Sequence, residues 1–144
     1  MRGADFFDTN VLVYLFDARD ARRSEIADAL LASAQRDRTG IISFQVVQET
    51  LSVLTRKLKP TFSADQARQA LDQVLLPLWT IHPTPALYQR ALDVQGRYGF
   101  AFYDSLIVAA ALEGGCTRLL SEDLQHGQQI DSLTIENPFL DEAS

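Results

Sequence analysis

An alternation of two kinds of segment narrows the fold of this chain more than any other feature. Short apolar or β-branched runs recur, and most are separated by longer stretches whose apolar residues return at helical spacing. Asp5 to Asp8, Ile41-Ile42-Ser43, Leu78 to His82 and Arg118-Leu119-Leu120-Ser121 read as strands. Leu133-Thr134-Ile135 reads as a last edge strand before Asn137-Pro138-Phe139. Strands that alternate with helices are joined by crossovers. The expected class is therefore α/β, with a mainly parallel sheet and helices on both faces.

The helical segments carry their own punctuation. Val11 to Phe16 is a first, apolar piece. From Ala21 to Arg38, Ile26, Ala27, Leu30, Leu31 and Ala34 share one face while Arg22, Arg23, Glu25, Asp28 and Arg36 lie on others, and Gly40 breaks the pattern. Phe44, Val47, Leu51, Leu54 and Leu58 mark a helix from Phe44 to Lys59, with Gln45, Glu49, Ser52 and Arg56 on a different face and Pro60 as its stop. Ser63-Ala64-Asp65-Gln66 has the form of a capping box and opens a helix toward Leu76, closed by Pro77. Thr84 and Pro85 start another that runs to Tyr98 and ends at Gly99. Asp104 to Glu113 is apolar after its first two residues, so it reads as a helix buried on most sides, ended by Gly114-Gly115. The last few residues read as frayed.

Bulk properties exclude several classes. A chain of 144 residues with 47% hydrophobic content fits one domain with a sizeable core. Leu106 to Leu112 is its most apolar segment, far short of the roughly 20 residues of a spanning helix, and no export signal precedes the first strand. The lone Cys116 makes neither an internal disulfide nor a zinc site, so a reducing cytoplasm and no membrane are expected. His82 and His126 lack partners at ligand spacing. A net charge of −6 argues against broad affinity for nucleic acid. A nucleic-acid function would need bound cations or local patches such as Arg56, Lys57 and Lys59, or Arg19, Arg22 and Arg23, which helix-end solvation explains equally well.

Four acids fall at element ends on this map. Asp8 follows the first strand, Glu49 lies off the core face of the helix after the second, Asp104 opens the buried helix, and Asp123 follows the strand ending at Ser121. In a right-handed parallel sheet those strand ends lie on one edge, where ligands bind. Converging carboxylates raise each other's pKa, and no basic residue neighbours these four in sequence. A hard divalent cation such as Mg²⁺ or Mn²⁺ resolves that conflict with oxygen ligands. Asp8 and Asp104 would serve equally as helix caps, Glu49 as a solvated residue, and Asp123 as a turn residue with Glu122 as the acid in its place. Thr9, Asn10, Ser105 and Ser121 are placed either to hydrogen-bond to the acids or to cap and turn; for Ser121 the turn role is expected.

Taken in order, Phe7-Asp8-Thr9-Asn10-Val11-Leu12, Gln48-Glu49, Phe102-Tyr103-Asp104-Ser105-Leu106-Ile107 and Leu120-Ser121-Glu122-Asp123-Leu124 resemble the acidic motifs of PIN-domain nucleases. The likeness is closest to the VapC-type toxins of bacterial toxin–antitoxin pairs, and it spans essentially the whole chain, closing at Asn137-Pro138-Phe139. It implies a single PIN domain over residues 1–144 with a three-layer fold. It also implies Mg²⁺- or Mn²⁺-dependent endoribonuclease activity with 3′-hydroxyl and 5′-phosphate products, a homodimer, and a cognate antitoxin that inhibits the site. By the same resemblance Asp8, Glu49, Asp104 and Asp123 are the catalytic, metal-holding positions, with Thr9, Asn10, Ser105 and Glu122 beside them; a metal-activated water would hydrolyse the RNA phosphodiester.

Two other classes fit parts of the pattern. An aspartyl-nucleophile phosphatase also places Asp after its first strand but wants a second acid two residues later, where Asn10 stands. A non-catalytic protein-binding module would use the acids only to receive a basic partner segment.

Overall fold

The computed structural model describes residues 3–140, so the closing residues read as frayed lie outside the described part. Six strands form one sheet: β1 (Ala4–Phe7), β2 (Gly40–Ser43), β3 (Trp79–Ile81), β4 (Cys116–Leu120), β5 (Gln129–Ile130) and β6 (Leu133–Glu136). Their spatial order is β3-β2-β1-β4-β6-β5. Every pairing is parallel except β5 with β6. In β1 the consecutive residues Asp5, Phe6 and Phe7 are all essentially inaccessible. Side chains of successive strand residues point to opposite faces, so both faces of β1 are covered, as a parallel sheet between helices requires.

The helices are α1 (Thr9–Val13), α2 (Ala21–Asp37), α3 (Phe44–Arg56), α4 (Ala64–Ala70), α5 (Leu76–Leu78), α6 (Pro85–Tyr98) and α7 (Phe102–Glu113). The capping box at Ser63 and Gln66 forms as expected. Thr84, Pro85 and Gly99 cap α6 at the expected positions, with Gly99 in the left-handed conformation that closes a helix. In α7 every residue from Ser105 to Ala111 is buried, which accounts for the absence of a polar face.

Several boundaries differ from expectation. Arg38, in the left-handed conformation, ends α2, and Gly40 lies inside β2. A Cβ on Gly40 would stand 2.8 Å from the Leu78 side chain and 3.1 Å from that of Ala34, so any other residue there would have to displace Leu78. Pro77 does not close the helix from Ser63. That helix continues through a π-helical turn at Leu71–Leu75 into α5, whose first turn carries the proline. The sheet edge expected at Leu133-Thr134-Ile135 is covered by β5, a two-residue antiparallel strand that the sequence pattern does not announce. No helix among the described residues is long and apolar enough to cross a membrane.

This topology fixes where a site can lie. From β1 the chain builds outward through β2 and β3 on one side and through β4 and β6 on the other. The strand order thus reverses between β1 and β4, and the crevice outside their carboxyl ends is the place where such sheets bind ligands.

Candidate active site

The register of β1 on β4 builds the centre of this crevice. Phe7 pairs with Leu120, and the Asp8 amide donates to the Leu120 carbonyl at 3.0 Å, so Asp8 and Ser121 leave the sheet side by side. The Ser121 hydroxyl donates to Asp8 Oδ2 at 2.8 Å, and Asp8 Oδ1 accepts from the Thr9 amide at 2.7 Å. Asp8 is therefore the N-cap of α1 and also lines the cleft. The next two residues reach across it: Thr9 Oγ1 donates to Glu49 Oε1 at 2.8 Å, and Asn10 Nδ2 donates to Asp123 Oδ2 at 2.9 Å. Asp104 enters from the first turn of α7, where a negative charge suits the helix dipole. Asp8, Glu49, Asp104 and Asp123 line one open cleft of about 530 Å³ with Tyr103 and Lys57. A larger recess of about 670 Å³ beside α2 has a mostly apolar lining, and Arg118 neutralises its only acid, Asp5.

The electrostatics of the cleft are unfavourable as it stands. Burial pushes Asp8 up to about 6, against the opposing hydrogen bonds from Ser121 and Thr9, and the nearby charges of Glu49 and Asp123 add to the rise. Asp104 is raised too, first by burial and then by Asp123 and Glu49. Among the described residues, no ion pair engages any of the four acids. Nor does any group of three or more His, Cys, Asp or Glu stand ready to enclose a metal. Magnesium does not need such a cage, since it commonly takes one or two carboxylates and completes its octahedron with waters and substrate phosphates. The all-oxygen donor set, with two carboxyls raised by burial and by the charges of Glu49 and Asp123, fits a hard divalent cation.

The structure brings some of the expected residues together and separates others. Asp123 lines the cleft; Glu122 does not, because its carboxylate accepts from Tyr14 OH at 2.7 Å and from Arg23 Nε at 2.6 Å. Burial, then the bond to Glu122, pushes the Tyr14 phenol up to about 12, which keeps it a donor. Thr9 and Asn10 bond to the acids. Ser105 does not: its hydroxyl turns back onto the Ala101 carbonyl at 3.0 Å, the usual outcome for a buried serine in a helix. Ser121, expected to be a turn residue, is fully buried and bonded to Asp8. Asp104 is not a cap, since α7 begins two residues earlier with Ala101 as its N-cap.

Sequence reasoning passed over Gln45, whose side-chain amide bridges Glu49 Oε2 at 3.4 Å and the Tyr103 carbonyl at 3.2 Å and so ties α3 to the start of α7. Its spacing of four residues from Glu49 was the available signal. Of the basic residues, Arg19 pairs with Asp17, Arg23 with Asp20 and Glu122, and Arg22 donates to the Phe139 carbonyl. Among the described residues, Lys57 is the one cation lining the cleft.

Comparison with known proteins gives two kinds of result. A family model for the PIN domain matches residues 6–128. Two solved structures share the fold. One is the VapC20 toxin of Mycobacterium tuberculosis, a sarcin-ricin loop cleaving toxin, at 24% identity and a TM-score of 0.61 over 83% of this chain and 92% of that one. The other is a toxin–antitoxin complex from Klebsiella pneumoniae, at 17% identity and a TM-score of 0.64 over 94% and 98% of the two chains. No curated protein matches the sequence.

Proposed function

The chain belongs to the PIN-domain family, and from that premise we propose that it is a Mg²⁺- or Mn²⁺-dependent endoribonuclease acting as the toxin of a toxin–antitoxin pair. One observation carries the reading: four acids from separate parts of the chain line one cleft at the carboxyl ends of β1 and β4, and among the described residues no basic side chain pairs with them. A purely structural cluster would be neutralised. The fold shared with a sarcin-ricin loop cleaving toxin and with a toxin–antitoxin complex supports the substrate class and the protein partner.

The residues divide the work by position. Asp8 and Asp104, both raised by burial and repulsion, would hold the cation, with Glu49 and Asp123 as the further acids. A bound divalent cation supplies an acidified water nucleophile and neutralises charge developing on the phosphate. Ser121 and the Thr9 amide hold the Asp8 carboxylate in one orientation, and Thr9 and Gln45 do the same for Glu49. Lys57 would meet a backbone phosphate beyond the acids, offsetting part of the repulsion between an acidic cleft and RNA. Tyr103, 66% exposed at the cleft wall, offers a face on which an unstacked base can lie. Tyr88 and Leu92, one turn apart and exposed on α6, are suited to the interface of a homodimer.

Asn10 leaves no acid two residues after Asp8, and its amide is committed to Asp123 and to the Glu122 backbone, which disfavours the aspartyl-phosphatase alternative. The deciding experiment incubates purified protein with a total-RNA pool, with and without Mg²⁺, and maps the new ends. Wild type should cut at defined sites only with the cation, leaving 5′-phosphates, and Asp104→Asn should not cut. Cleavage by Asp104→Asn at the wild-type rate would overturn the assignment, and tight binding of an antitoxin without any RNA cleavage would favour the protein-binding module.

A further inference from the structure

Glu122 sits in sequence between Ser121, which holds Asp8, and Asp123, which lines the cleft, yet both its carboxylate oxygens are taken by other residues. Tyr14 OH holds Oε1 at 2.7 Å and Arg23 Nε holds Oε2 at 2.6 Å. Arg23 is itself fixed by Asp20 at 2.9 Å, and its guanidinium lies 5.6 Å from the centre of the Tyr14 ring and 5.8 Å from that of Phe139. Tyr14 and Phe139 meet edge to face at 5.1 Å, and the Phe139 carbonyl accepts from Arg22 at 2.6 Å. The end of α1 and the start of α2 therefore meet at this one carboxylate, with Phe139 packed on the two side chains that hold it.

From Glu122 the hydrogen bonds continue into the cleft. The Glu122 amide donates to Asn10 Oδ1 at 3.1 Å, Asn10 Nδ2 donates to Asp123 Oδ2 at 2.9 Å, and the Asp123 amide donates to Ser121 Oγ at 3.3 Å. Asp123 needs such restraint, because it shares one cleft with three other carboxylates that repel it. A loop free to move would swing it away. Charge-assisted bonds to a planar guanidinium and a phenol are directional enough to prevent this, and Arg23 also cancels the charge that Glu122 would otherwise add.

We infer that Glu122 is a positioning residue: clamped by Tyr14 and Arg23, it sets the loop after β4 so that Asp123 stays bonded to Asn10 and lines the acidic cleft. The inference rests on the metal-dependent reading above. It also couples the Asn137-Pro138-Phe139 segment to the site through Arg23.

The test measures Mn²⁺ binding to the metal-free full chain by titration calorimetry, together with the NMR resonances of the Asn10 side-chain amide. Tyr14→Phe removes one hydroxyl, and Arg23→Gln removes the ion pair. Each should weaken Mn²⁺ binding by about 10-fold or more, the usual effect of losing a group that orients a ligand, and each should shift the Asn10 amide without metal present. Unchanged affinity with unchanged Asn10 resonances would overturn the inference, even if the variants melt earlier, because the clamp would then be structural. Loss of binding in Glu122→Ala alone, with Tyr14→Phe and Arg23→Gln as wild type, would overturn it by making Glu122 a ligand. Should wild type bind no Mn²⁺, the metal reading falls, and the Asn10 amide alone decides whether the clamp positions the loop.

Discussion

Asp5 and Asp8 stand three residues apart at one strand, and both are buried, yet they are treated in opposite ways. Asp5, 1% exposed, receives a two-pronged contact from Arg118, whose Nε and Nη2 donate at 2.8 and 2.7 Å while Nη1 donates to Glu136 at 2.6 Å. Asp8, 8% exposed, receives one hydroxyl and one amide and, among the described residues, no cation. The same backbone thus carries a neutralised carboxylate inside the sheet and a frustrated one at its carboxyl end. Burial of an acid is therefore not by itself a sign of function in this molecule. What separates the site from the scaffold is whether the chain supplies the countercharge.

The first way to break this comparison is to remove the countercharge from Asp5. Arg118→Met should destabilise the protein by about 3–5 kcal/mol in urea unfolding, because it removes the guanidinium that donates to both oxygens of a buried acid. Adding Asp5→Asn should recover much of that. A cost below about 1 kcal/mol would mean that the ion pair is not what distinguishes the two acids.

The second acts on Asp8. Its folded value of about 6 lies above the ordinary 3.8, so the folded state retains the proton where the unfolded state has lost it. Stability of the metal-free protein should therefore fall as pH rises from about 4 to about 6, by about 3 kcal/mol in all, and change little from this cause above that. Asp8→Asn should remove the fall and be the more stable protein at pH 7. Saturating Mg²⁺ should restore wild type and leave Asp8→Asn unmoved. Unfolding midpoints across pH, with and without the cation, check all three outcomes.

Much of this contrast was legible in the sequence, and its missing parts share a cause. Strands and helices announced themselves through local pattern: the Ser63 capping box, the Thr84-Pro85 start with its Gly99 stop, and the apolar run of α7 all need only neighbouring residues. Asp8 could be placed at a strand end for the same reason. The partners that decide its chemistry could not, because Ser121 is 113 positions away and is brought to Asp8 by strand register. The choice between Glu122 and Asp123 was open for a related reason: adjacent residues in a turn point in different directions, and only Arg23 and Tyr14, on other elements, show which way Glu122 turns. The strand at Gln129–Ile130 is too short for any periodicity, and the tight approach at Gly40 depends on Leu78 and Ala34, which no local pattern relates to it.

The smallest effect tests the finest part of the comparison, the single hydroxyl that distinguishes a tolerated Asp8 from an intolerable one. The Ser121 hydroxyl donates to Asp8 Oδ2, and this bond is the largest influence holding the Asp8 pKa down against burial. Ser121→Ala leaves the backbone and the packing volume nearly intact but strips the carboxylate of that donor. The Asp8 pKa should then rise above about 6, so that the pH at which the metal-free protein stops losing stability moves upward by the same amount. At pH 7 the variant should be less stable than wild type by about 2 kcal/mol, a typical worth for one buried hydrogen bond to a charged group. In the Asp8→Asn background the same substitution should cost less, since a neutral amide depends less on the donor. Equal costs in the two backgrounds would show that Ser121 stabilises the sheet end without regard to the charge on Asp8, and the distinction between the two acids would then rest on the countercharge at Asp5.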